Sequence, residues 1–378
     1  MSFSVLYVHD FSFYYDQNGG VYTAVGLPEK YFDRFFESGF DTVTIFSRTE
    51  FVTKEVALSR GFLKIENENI KLLFRENGGY ARLFNPLNLF RFVCCIKSFN
   101  LVTLSTPSVN GTYFGLLCLL FKRKYTVEVA GDTNMFDKKK GGKIFGKLLK
   151  QLTPRIITNA LGAAYVSKYL KAKYYCKGES LVSSNVNINE IVPSSLTREY
   201  DKKLILGFAG GLNERKGIQT IIEVAAILNG KLNFQFILCG GHQDKDWKSQ
   251  VEKQGLSDVI QFAGILNNSE LDDFFKNCDL YIQPSLAEGI PRATIEAMSY
   301  SLPCIATQLP GFFEILDSEV LFEVDDSTAI AKKIYALASE PEEMLRLGKA
   351  NAIRASDFLY SNLHKKRVDY YKSIRVKL

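Results

Sequence analysis

Short apolar runs alternate along the first half of the chain with longer segments in which apolar residues have helical spacing. The strand-like runs are SVLYVHD (4–10), DTVTIFS (41–47), NLVTLS (100–105), YTVEVAG (125–131) and AAYVS (163–167). The helix-like segments begin at about residue 21 and include YFGLLCLLF (113–121) and KYLKAKYY (168–175). Strands that alternate with helices are typical of βαβ units, so the pattern predicts a parallel sheet with helices on its faces.

The same alternation resumes after a polar segment, NEIVPSSLTREYDKK (189–203), and predicts a second domain. Its strands and helices are LILGFAG, GIQTIIEVAAIL, FQFILCG, VIQFAG, DLYIQPS, RATIEAMSY, PCIAT and VLFEV. We expect an N-terminal domain over 1–190, a C-terminal domain over 191–355, and a helix over 356–378 that packs back on the first domain. Doubly wound sheets bind ligands outside the carboxyl ends of their strands, so we expect the site in a cleft between the domains.

Composition and charge favour a globular cytoplasmic protein. The 378 residues are 46% hydrophobic and carry a net charge of +6, too small an excess for a dedicated nucleic-acid binder. The seven cysteines lie mostly in apolar runs without metal-ligand spacing, which predicts buried thiols in a reducing cytosol. The start, MSFSVLYVHDF, is typical of a strand and not of a signal peptide. The longest apolar run, 113–121, is about half the length that a membrane span needs.

The segment IQPSLAEGIPRATIEAMSY (282–300) combines the end of a strand, a loop and the start of a helix. Pro291 suits the first position of a helix, where free backbone N–H groups attract phosphate. Glu296 lies eight residues after Glu288, about a turn and a half into that helix, where it could accept two sugar hydroxyls. The spacing alone leaves open that Glu288 is an ordinary loop charge and Glu296 a solvated helix residue.

Glu288 and Glu296, within PSLAEGIPRATIEAM, resemble the paired-glutamate motif of retaining GT-B glycosyltransferases, specifically glycosyltransferase family 4. The resemblance extends to VSKYLKAKYY (166–175), LGFAGGLNERKGIQTIIEVAAIL (206–228), VIQFAGIL (259–266), DLYIQPS and TQLPGFFEIL (307–316). It covers most of the C-terminal half closely and the N-terminal half loosely. The fold that it implies is α/β: two doubly wound, Rossmann-like domains that face a central cleft.

Arg215 and Lys216 are adjacent cations where a strand leads into a helix, which indicates either a solvated turn or an anion above them. In the family, the segment similar to GGLNERKG supplies cations to the diphosphate of a nucleotide sugar, and Lys216 matches the family's lysine. The family usually has an arginine where this chain has Gly211. Arg215 or Arg292 would then take its place.

The resemblance also implies the remaining donor contacts. Glu296 would bind the ribose hydroxyls, and Ile265 would lie beside the base. Glu288 and the backbone N–H groups of Gly289 and Ile290 would contact the donor sugar. Glu288 and Lys216 are therefore the catalytic candidates in this half of the chain.

The N-terminal half offers weaker candidates. Gly19 and Gly20, in DQNGGVYTAV before the predicted helix, resemble the family's glycine loop, which approaches the donor phosphate and the acceptor, although such a pair also occurs in ordinary turns. Asp132 lies in VEVAGDTNMF, where many members have a histidine. It could bind a sugar hydroxyl or accept the acceptor's proton, and the alternative is a capping aspartate. His9, at the end of the first strand, is a further acceptor-site candidate.

Asp244-Lys245-Asp246 has the DxD pattern with which GT-A glycosyltransferases hold a divalent metal on the diphosphate. The paired glutamates and the double α/β layout point to the other fold. We therefore interpret this segment as a surface loop and expect no metal requirement and no other cofactor.

The segment KKKGGKIFGKLLKQLTPR (138–155) is basic and amphipathic. Its lysines are at positions 138, 139, 140, 143, 147 and 150, and its apolar stripe is Ile144, Phe145, Leu148 and Leu149. Such a helix either lies on an anionic membrane, here the inner face of the cytoplasmic membrane, or packs its stripe on the core and solvates its lysines.

These features predict a retaining glycosyltransferase of the hexosyltransferase type. It would move a sugar from a UDP- or GDP-linked donor to a hydroxyl of a saccharide or polyprenyl-diphosphate-linked acceptor, in the assembly of capsule, O-antigen or exopolysaccharide. Two alternatives stay open: a nucleotide-sugar epimerase of the same fold, and a non-catalytic homologue that binds sugar nucleotides. A dinucleotide-dependent oxidoreductase is disfavoured, because neither QNGGVY nor FAGGLNERKG gives GxGxxG after a strand.

Overall fold

The computed structural model describes residues 2–24, 27–74, 80, 83, 85–138, 143–193, 203–241 and 243–378. The chain divides into two compact units, Met1–Asn185 with His364–Leu378, and Val186–Leu363. The boundaries expected at residues 190 and 355 both lie inside the second unit, close to these divisions.

The first unit contains a mixed sheet. Its strands are β1 (Ser4–Tyr15), β2 (Val21–Thr23), β3 (Thr42–Phe51), β4 (Leu63–Ile65), β5 (Ile70–Leu72), β6 (Leu101–Thr106), β7 (Tyr125–Val129), β8 (Gly162–Tyr165) and β9 (Glu179–Val182). Parallel strands follow the order β5-β3-β1-β6-β7-β8-β9, and β2 pairs antiparallel with the end of β1 and with β4. This sheet places the ends of β1, β6 and β7 at one edge.

Helices cover both faces of this sheet. Those before residue 180 are α1 (Asp33–Phe36), α2 (Lys54–Ser59), α3 (Pro86–Ser98), α4 (Val109–Leu120), α5 (Lys143–Thr158) and α6 (Lys168–Lys173). The rings of Phe92 on α3 and Phe114 on α4 lie 5.4 Å apart, and the hydroxyls of Thr112 on α4 and Thr153 on α5 are 3.2 Å apart. These three helices therefore form one continuous layer over the core that contains Leu6 of β1.

The helix predicted to begin at about residue 21 is wrong, because β2 occupies this position. Val21, Tyr22 and Thr23 are β-branched or aromatic residues, which favour strands. Asp16 closes the hairpin: its carboxylate accepts the Gly20 N–H at 2.7 Å and the Tyr22 hydroxyl at 2.8 Å. Gly19 (φ +83°) supplies the left-handed conformation that the turn needs.

The second unit contains a sheet in which every strand is parallel. Its strands are β10 (Leu204–Ala209), β11 (Phe234–Cys239), β12 (Ile260–Gly264), β13 (Leu280–Gln283), β14 (Cys304–Thr307) and β15 (Leu321–Phe322), and its helices are α7 (Ile218–Leu228), α8 (Trp247–Lys253), α9 (Asn268–Asn277), α10 (Arg292–Ser299), α11 (Pro310–Phe313), α12 (Ser327–Ala338) and α13 (Pro341–Ala355). The strand order β12-β11-β10-β13-β14-β15 is that of a doubly wound nucleotide-binding sheet. The order reverses between β10 and β13, where such sheets bind their ligands. The predicted α/β class with two doubly wound domains is confirmed.

The last helix, α14 (Tyr360–Val376), joins the first unit from His364 onward. Its Tyr371 hydroxyl donates to Glu128 of β7 at 2.8 Å, and the Tyr31 hydroxyl donates to the same carboxylate at 2.6 Å. The Arg34 guanidinium lies 3.2 Å from Glu128. Burial alone would raise the pKa of Glu128, but Arg34 and the two hydroxyls hold it below its ordinary value. The helix thus completes a buried charged cluster.

Five of the cysteines are buried as predicted, but Cys94 is exposed and Cys95 is half-buried. Both lie on α3, where Phe92 and Ile96 face the core. Helix residues between two core positions point away from the core. An apolar run in the sequence therefore predicted more burial for these two cysteines than the helix gives them. Within the described residues, no helix has the length and apolar character needed to cross a bilayer.

Candidate active site

The loops that follow β10 and β13 meet where the strand order reverses. After β10 the chain forms a short 3-10 helix, Glu214–Lys216, which ends at Gly217 (φ +77°). A Cβ atom at Gly217 would collide with the carbonyl oxygen of Pro284, so glycine is required for this close approach. The Leu286 N–H donates to the carbonyl oxygen of Arg215 at 2.9 Å and holds the two loops together.

Glu288 lies at this junction with 8% of its side chain exposed. Its Oε1 pairs with the ammonium of Lys216, and its Oε2 lies 3.8 Å from Nη1 of Arg215. Arg215 also donates to the carbonyl oxygen of Ala287 at 2.9 Å. The structure therefore brings three of the predicted site residues, Arg215, Lys216 and Glu288, into one ion-paired cluster at the carboxyl edge of the sheet.

A buried chain of hydrogen bonds supports Glu288 from within the sheet. The Tyr281 hydroxyl donates to Gln283 at 2.6 Å, Gln283 donates to the Ser285 hydroxyl at 3.0 Å, and Ser285 donates to Glu288 at 3.1 Å. These three supporting residues are at most 1% exposed. None of the three was predicted from the sequence. A glutamine in the buried strand DLYIQPS was the available signal, because a buried polar side chain requires partners.

Glu296 lies on α10, about one turn after the start of this helix at Arg292, which follows the loop that contains Gly289 and Ile290. Its carboxylate is half-buried and has no hydrogen-bond or ion-pair partner among the described residues. Burial raises the pKa of Glu296, and the charge of Arg292 offsets part of this effect. A half-buried carboxylate without a partner is costly, so a ligand that donates hydroxyl groups would stabilise it.

Gly211 occupies a tight position in the loop after β10. A Cβ atom there would lie 2.7 Å from Nδ2 of Asn213, whose Oδ1 accepts the Lys216 N–H at 3.2 Å. An arginine at position 211 would therefore disturb the cap of the Lys216 turn. The cation that the structure places beside Lys216 is Arg215, whereas Arg292 is exposed at the start of α10.

Ile265 follows β12 and is 83% exposed. A Cβ atom at Gly241 would lie 3.0 Å from its Cδ1, so Ile265 lies against the loop that follows β11. Gly240, in the loop after β11, also approaches the loop after β10 closely. A Cβ atom at Gly240 would collide with the carbonyl oxygen of Gly210. The loops after β10, β11 and β12 are thus packed edge to edge, as a shared binding surface requires.

In the first unit, Gly19 and Gly20 lie in the β1–β2 hairpin and not before a helix. The Gly19 N–H donates to the carbonyl oxygen of Asp16 at 3.2 Å, and the Gly20 N–H donates to the Asp16 carboxylate. Both N–H groups are therefore engaged within the turn. The hairpin borders a cavity of about 610 Å³ that Lys54, Lys64 and Glu66 also line.

His9 lies near the middle of β1 and not at its end, because this strand continues to Tyr15 past the carboxyl ends of β6 and β7. Beside it is a separate cavity of about 290 Å³, which Arg48, Ser105 and Gly131 also line. Burial lowers the pKa of His9, and its Nδ1 accepts the Phe11 N–H at 2.7 Å. The ring is therefore neutral at physiological pH and directs Nε2 as its donor. A half-buried neutral imidazole beside a cavity is suited to a hydroxyl group.

Asp132 occupies the start of a 3-10 helix, Thr133–Lys138. Its carboxylate accepts the Asn134 N–H at 2.9 Å and pairs with the ammonium of Lys173. Partial burial would raise the pKa of Asp132, but the hydrogen bonds from Lys173 and Asn134 outweigh it and hold the pKa below its ordinary value. The carboxylate therefore caps a helix in this structure, and its catalytic role stays a prediction.

Asp244 and Asp246 both have structural partners. Asp244 accepts the Glu214 N–H at 2.9 Å, and Asp246 accepts the Ser249 N–H at 3.1 Å at the start of α8. His242 lies outside the described residues. Within the residues that the structure describes, no group of three or more His, Cys, Asp or Glu side chains could hold a metal ion.

Leu149 of the basic segment 138–155 packs in the core of the first unit, whereas Leu148 is 48% exposed. The predicted apolar stripe is therefore divided between the core and the surface. Lys139 and Lys140 lie outside the described residues, as do the side chains of Lys138, Lys143, Ile144 and Phe145.

Residues 194–354 match the family described as "Glycosyl transferases group 1". This similarity to group 1 glycosyltransferases lies in the second half of the chain, and the two doubly wound units have the GT-B fold of the solved structures that resemble them. The predicted family resemblance and transferase class are confirmed at this level. Family 4 membership and the retaining mechanism remain predictions.

Two sequence relatives indicate the range of similarity. Protein CapJ of Staphylococcus aureus is 29% identical over 343 residues, which cover 87% of this chain and 85% of CapJ. The amylovoran biosynthesis glycosyltransferase AmsK of Erwinia amylovora is 28% identical over 138 residues, which cover 34% of each chain.

Two solved structures share the fold over nearly the whole chain. The lipopolysaccharide outer core galactosyltransferase WaaB has a TM-score of 0.68 at 15% identity, and the match covers 100% of this chain and 100% of WaaB. Anabaena HepE in complex with UDP has a TM-score of 0.68 at 16% identity, with 99% of this chain and 100% of HepE covered. At such identities the similarity establishes the fold alone.

Proposed function

We propose that the protein is a retaining glycosyltransferase of the hexosyltransferase type, which moves a sugar from a UDP- or GDP-linked donor to a hydroxyl of a saccharide or polyprenyl-diphosphate-linked acceptor. The main observation behind this proposal is the cluster of Arg215, Lys216 and Glu288 at the strand-order reversal of a group 1 domain. The HepE complexes with UDP and UDP-glucose support a nucleotide-sugar donor. The names of WaaB and AmsK support a place in the assembly of a surface polysaccharide such as capsule, O-antigen or exopolysaccharide.

In this proposal the second unit binds the donor. The diphosphate replaces Glu288 as the partner of Lys216 and Arg215, since both cations already point to one anionic position. Glu296, whose carboxylate has no partner in the described part of the chain, accepts the ribose hydroxyls. Glu288, released from the cations but still held by Ser285, contacts the donor sugar together with the N–H groups of Gly289 and Ile290. Ile265 lies beside the base.

The chemistry needs little beyond charge stabilisation. The acceptor oxygen bonds to C1 of the sugar on the face from which the diphosphate oxygen departs, and the acceptor proton passes to that phosphate oxygen. The ammonium of Lys216 stabilises the negative charge that develops on the leaving diphosphate. We propose no metal and no other cofactor, because these cations supply the positive field.

We further propose that the first unit binds the acceptor at the 290 Å³ cavity beside His9 and works at the inner face of the cytoplasmic membrane, with α5 facing anionic lipid. The neutral His9 ring would orient the acceptor hydroxyl. Asp132 would take part only after release from Lys173. The N–H groups of Gly19 and Gly20 are engaged within the hairpin, so these residues would contribute only through the cavity that they line.

Thermal-shift measurements with UDP, GDP, ADP and TDP test the donor site. A nucleotide at about 100 times its dissociation constant stabilises the protein by about 2.7 kcal/mol, and only the matching base should do so. Lys216→Ala should lose most of this shift, whereas Lys245→Ala should retain it, because Lys245 pairs with Glu214 at the surface. A wild type that binds no nucleotide would favour a non-catalytic role. Conversion of a nucleotide sugar without any acceptor would favour an epimerase.

A further inference from the structure

The helical layer of α3, α4 and α5 has an unusual charge composition. These three helices contain no Asp or Glu, and every charged residue between positions 77 and 127 and between positions 138 and 178 is basic. The whole chain has a net charge of only +6, so the rest of the molecule is acidic on balance. Helices that carry no carboxylates of their own do not repel an anionic surface.

The same layer exposes large apolar side chains to solvent. On α3, Leu87 is 78% exposed and Phe90 is 74% exposed, and on α5 Leu148 is 48% exposed. Arg91 and Lys147 are the exposed chain neighbours of Phe90 and Leu148. Leu and Phe side chains interspersed with cations are typical of helices that lie in the interface of an anionic membrane.

These side chains lie at a particular edge of the sheet. Leu87 and Phe90 are in the first turns of α3, and Leu148 is in the first half of α5. In right-handed βαβ crossovers each helix begins at the carboxyl edge of the strands, so both groups lie toward that edge. The cavity lined by His9, Ser105 and Gly131 lies at the same edge of the same unit.

We propose that this face, defined by Leu87, Leu89, Phe90 and Arg91 of α3 with Lys147 and Leu148 of α5, docks on an anionic lipid bilayer, and that α3 inserts the apolar side chains. Leu89 is also 44% exposed. Because Leu149 packs in the core, α5 contributes mainly positive charge to this face. In contrast, α3 contributes both positive charge and exposed apolar side chains. The purpose of this docking, delivery of a lipid-linked acceptor to the nearby cavity, rests on the function proposed above.

A tryptophan reporter tests insertion directly. The chain has a single tryptophan, Trp247, which is fully buried in the second unit. In Phe90→Trp, the new indole should shift its emission to the blue on vesicles of equal phosphatidylglycerol and phosphatidylcholine, and lipids brominated in their acyl chains should quench it. Ile353→Trp is the matched control, because Ile353 is 73% exposed on α13 of the second unit, and it should show neither effect.

Sedimentation with the same vesicles separates the two contributions. Arg91→Glu with Lys147→Glu should lower the partition coefficient at least about 25-fold, since each basic residue near an anionic surface contributes about fivefold. Leu87→Ser with Phe90→Ser should lower it about tenfold even in high salt, where charge is screened. The charge control is Lys248→Glu with Lys253→Glu on α8, which should bind like the wild type.

Several outcomes would overturn the inference. These are a wild type that does not sediment with anionic vesicles, a Phe90→Trp emission that vesicles leave unchanged, and serine variants that bind normally. A wild type that self-associates in solution, with Leu87→Ser and Phe90→Ser making it monomeric, would instead identify the face as a contact between copies. Nucleotide binding in vesicle-free solution should be equal in all variants. A wild type that binds no nucleotide would count against the proposed function and not against docking.

Discussion

At the scale of single residues, the pairing of Lys216 with Glu288 gives the lysine an anionic partner in the ligand-free site. The ammonium is preorganised by the Asn213 cap and by Gly217, and Glu288 is held by Ser285. A donor therefore exchanges one anion for another and does not have to order a flexible lysine.

Lys216→Ala should lower kcat about 100-fold or more with little change in folding, because Lys216 meets a charge that grows in the transition state. Transfer of radiolabelled sugar to the acceptor measures the rate, and circular dichroism checks the fold. Lys245→Ala, the change of another ion-paired lysine, should retain wild-type turnover. If Lys216→Ala turned over as fast as Lys245→Ala, Lys216 would have no role in catalysis beyond forming the turn.

Glu296→Gln should weaken nucleotide binding about 10- to 100-fold, because hydrogen bonds to a charged acceptor are the stronger kind. The same change should stabilise the ligand-free protein. Since burial raises the folded-state pKa of Glu296, its ionisation costs stability as pH rises from its unfolded pKa through its folded pKa. Thermal melts at pH 5 and pH 8 should show the larger gain at pH 8. A gain that does not depend on pH would refute this account of Glu296.

At the scale of elements, α14 is fixed to the first unit through Tyr371 and Glu128. Tyr371→Phe should lower the free energy of unfolding by about 2 kcal/mol, because a buried carboxylate loses a donor. The matched control is Tyr335→Phe on α12, where the side chain is 50% exposed. Urea titration measures both.

The sign of the pH dependence follows from the depressed pKa of Glu128. A depressed folded-state pKa gives stability that is present above the unfolded pKa and lost as pH falls through the folded pKa. The difference between wild type and Tyr371→Phe should therefore shrink in acid. An equal difference at pH 7 and at low pH would mean that Tyr371 contributes by packing alone.

The element scale also explains what the sequence could predict. The strands and helices of the second unit were predictable because strong apolar runs such as LILGFAG alternate with long helical patterns. The helix expected from residue 21 was wrong because a side chain, Asp16, closes a hairpin that no periodicity shows. The chain of Tyr281, Gln283 and Ser285 was missed because buried polar networks depend on contacts between separate segments.

At the scale of the whole molecule, the proposed function assigns the positive charge of the donor site to Lys216 and Arg215 and requires no metal. Transfer should therefore survive EDTA at full rate, as a radiolabel assay with and without the chelator would show. Asp244→Asn with Asp246→Asn should likewise retain activity, although these carboxylates cap local turns and the variant's stability must be checked. Complete loss in EDTA with recovery in manganese would mean that the DxD segment holds a metal.

The return of α14 to the first unit has a consequence for biosynthesis. A ribosome adds about 5–20 residues per second, so roughly 10 to 35 s separate the synthesis of Asn185 from that of the segment His364–Leu378. During this interval Glu128 and Arg34 lack Tyr371, and the sheet face that α14 covers is open. The second unit has no such dependence on later residues, since its segment is continuous. We therefore expect the nascent chain to complete its second half first, and chaperones to engage its first half until translation passes α14.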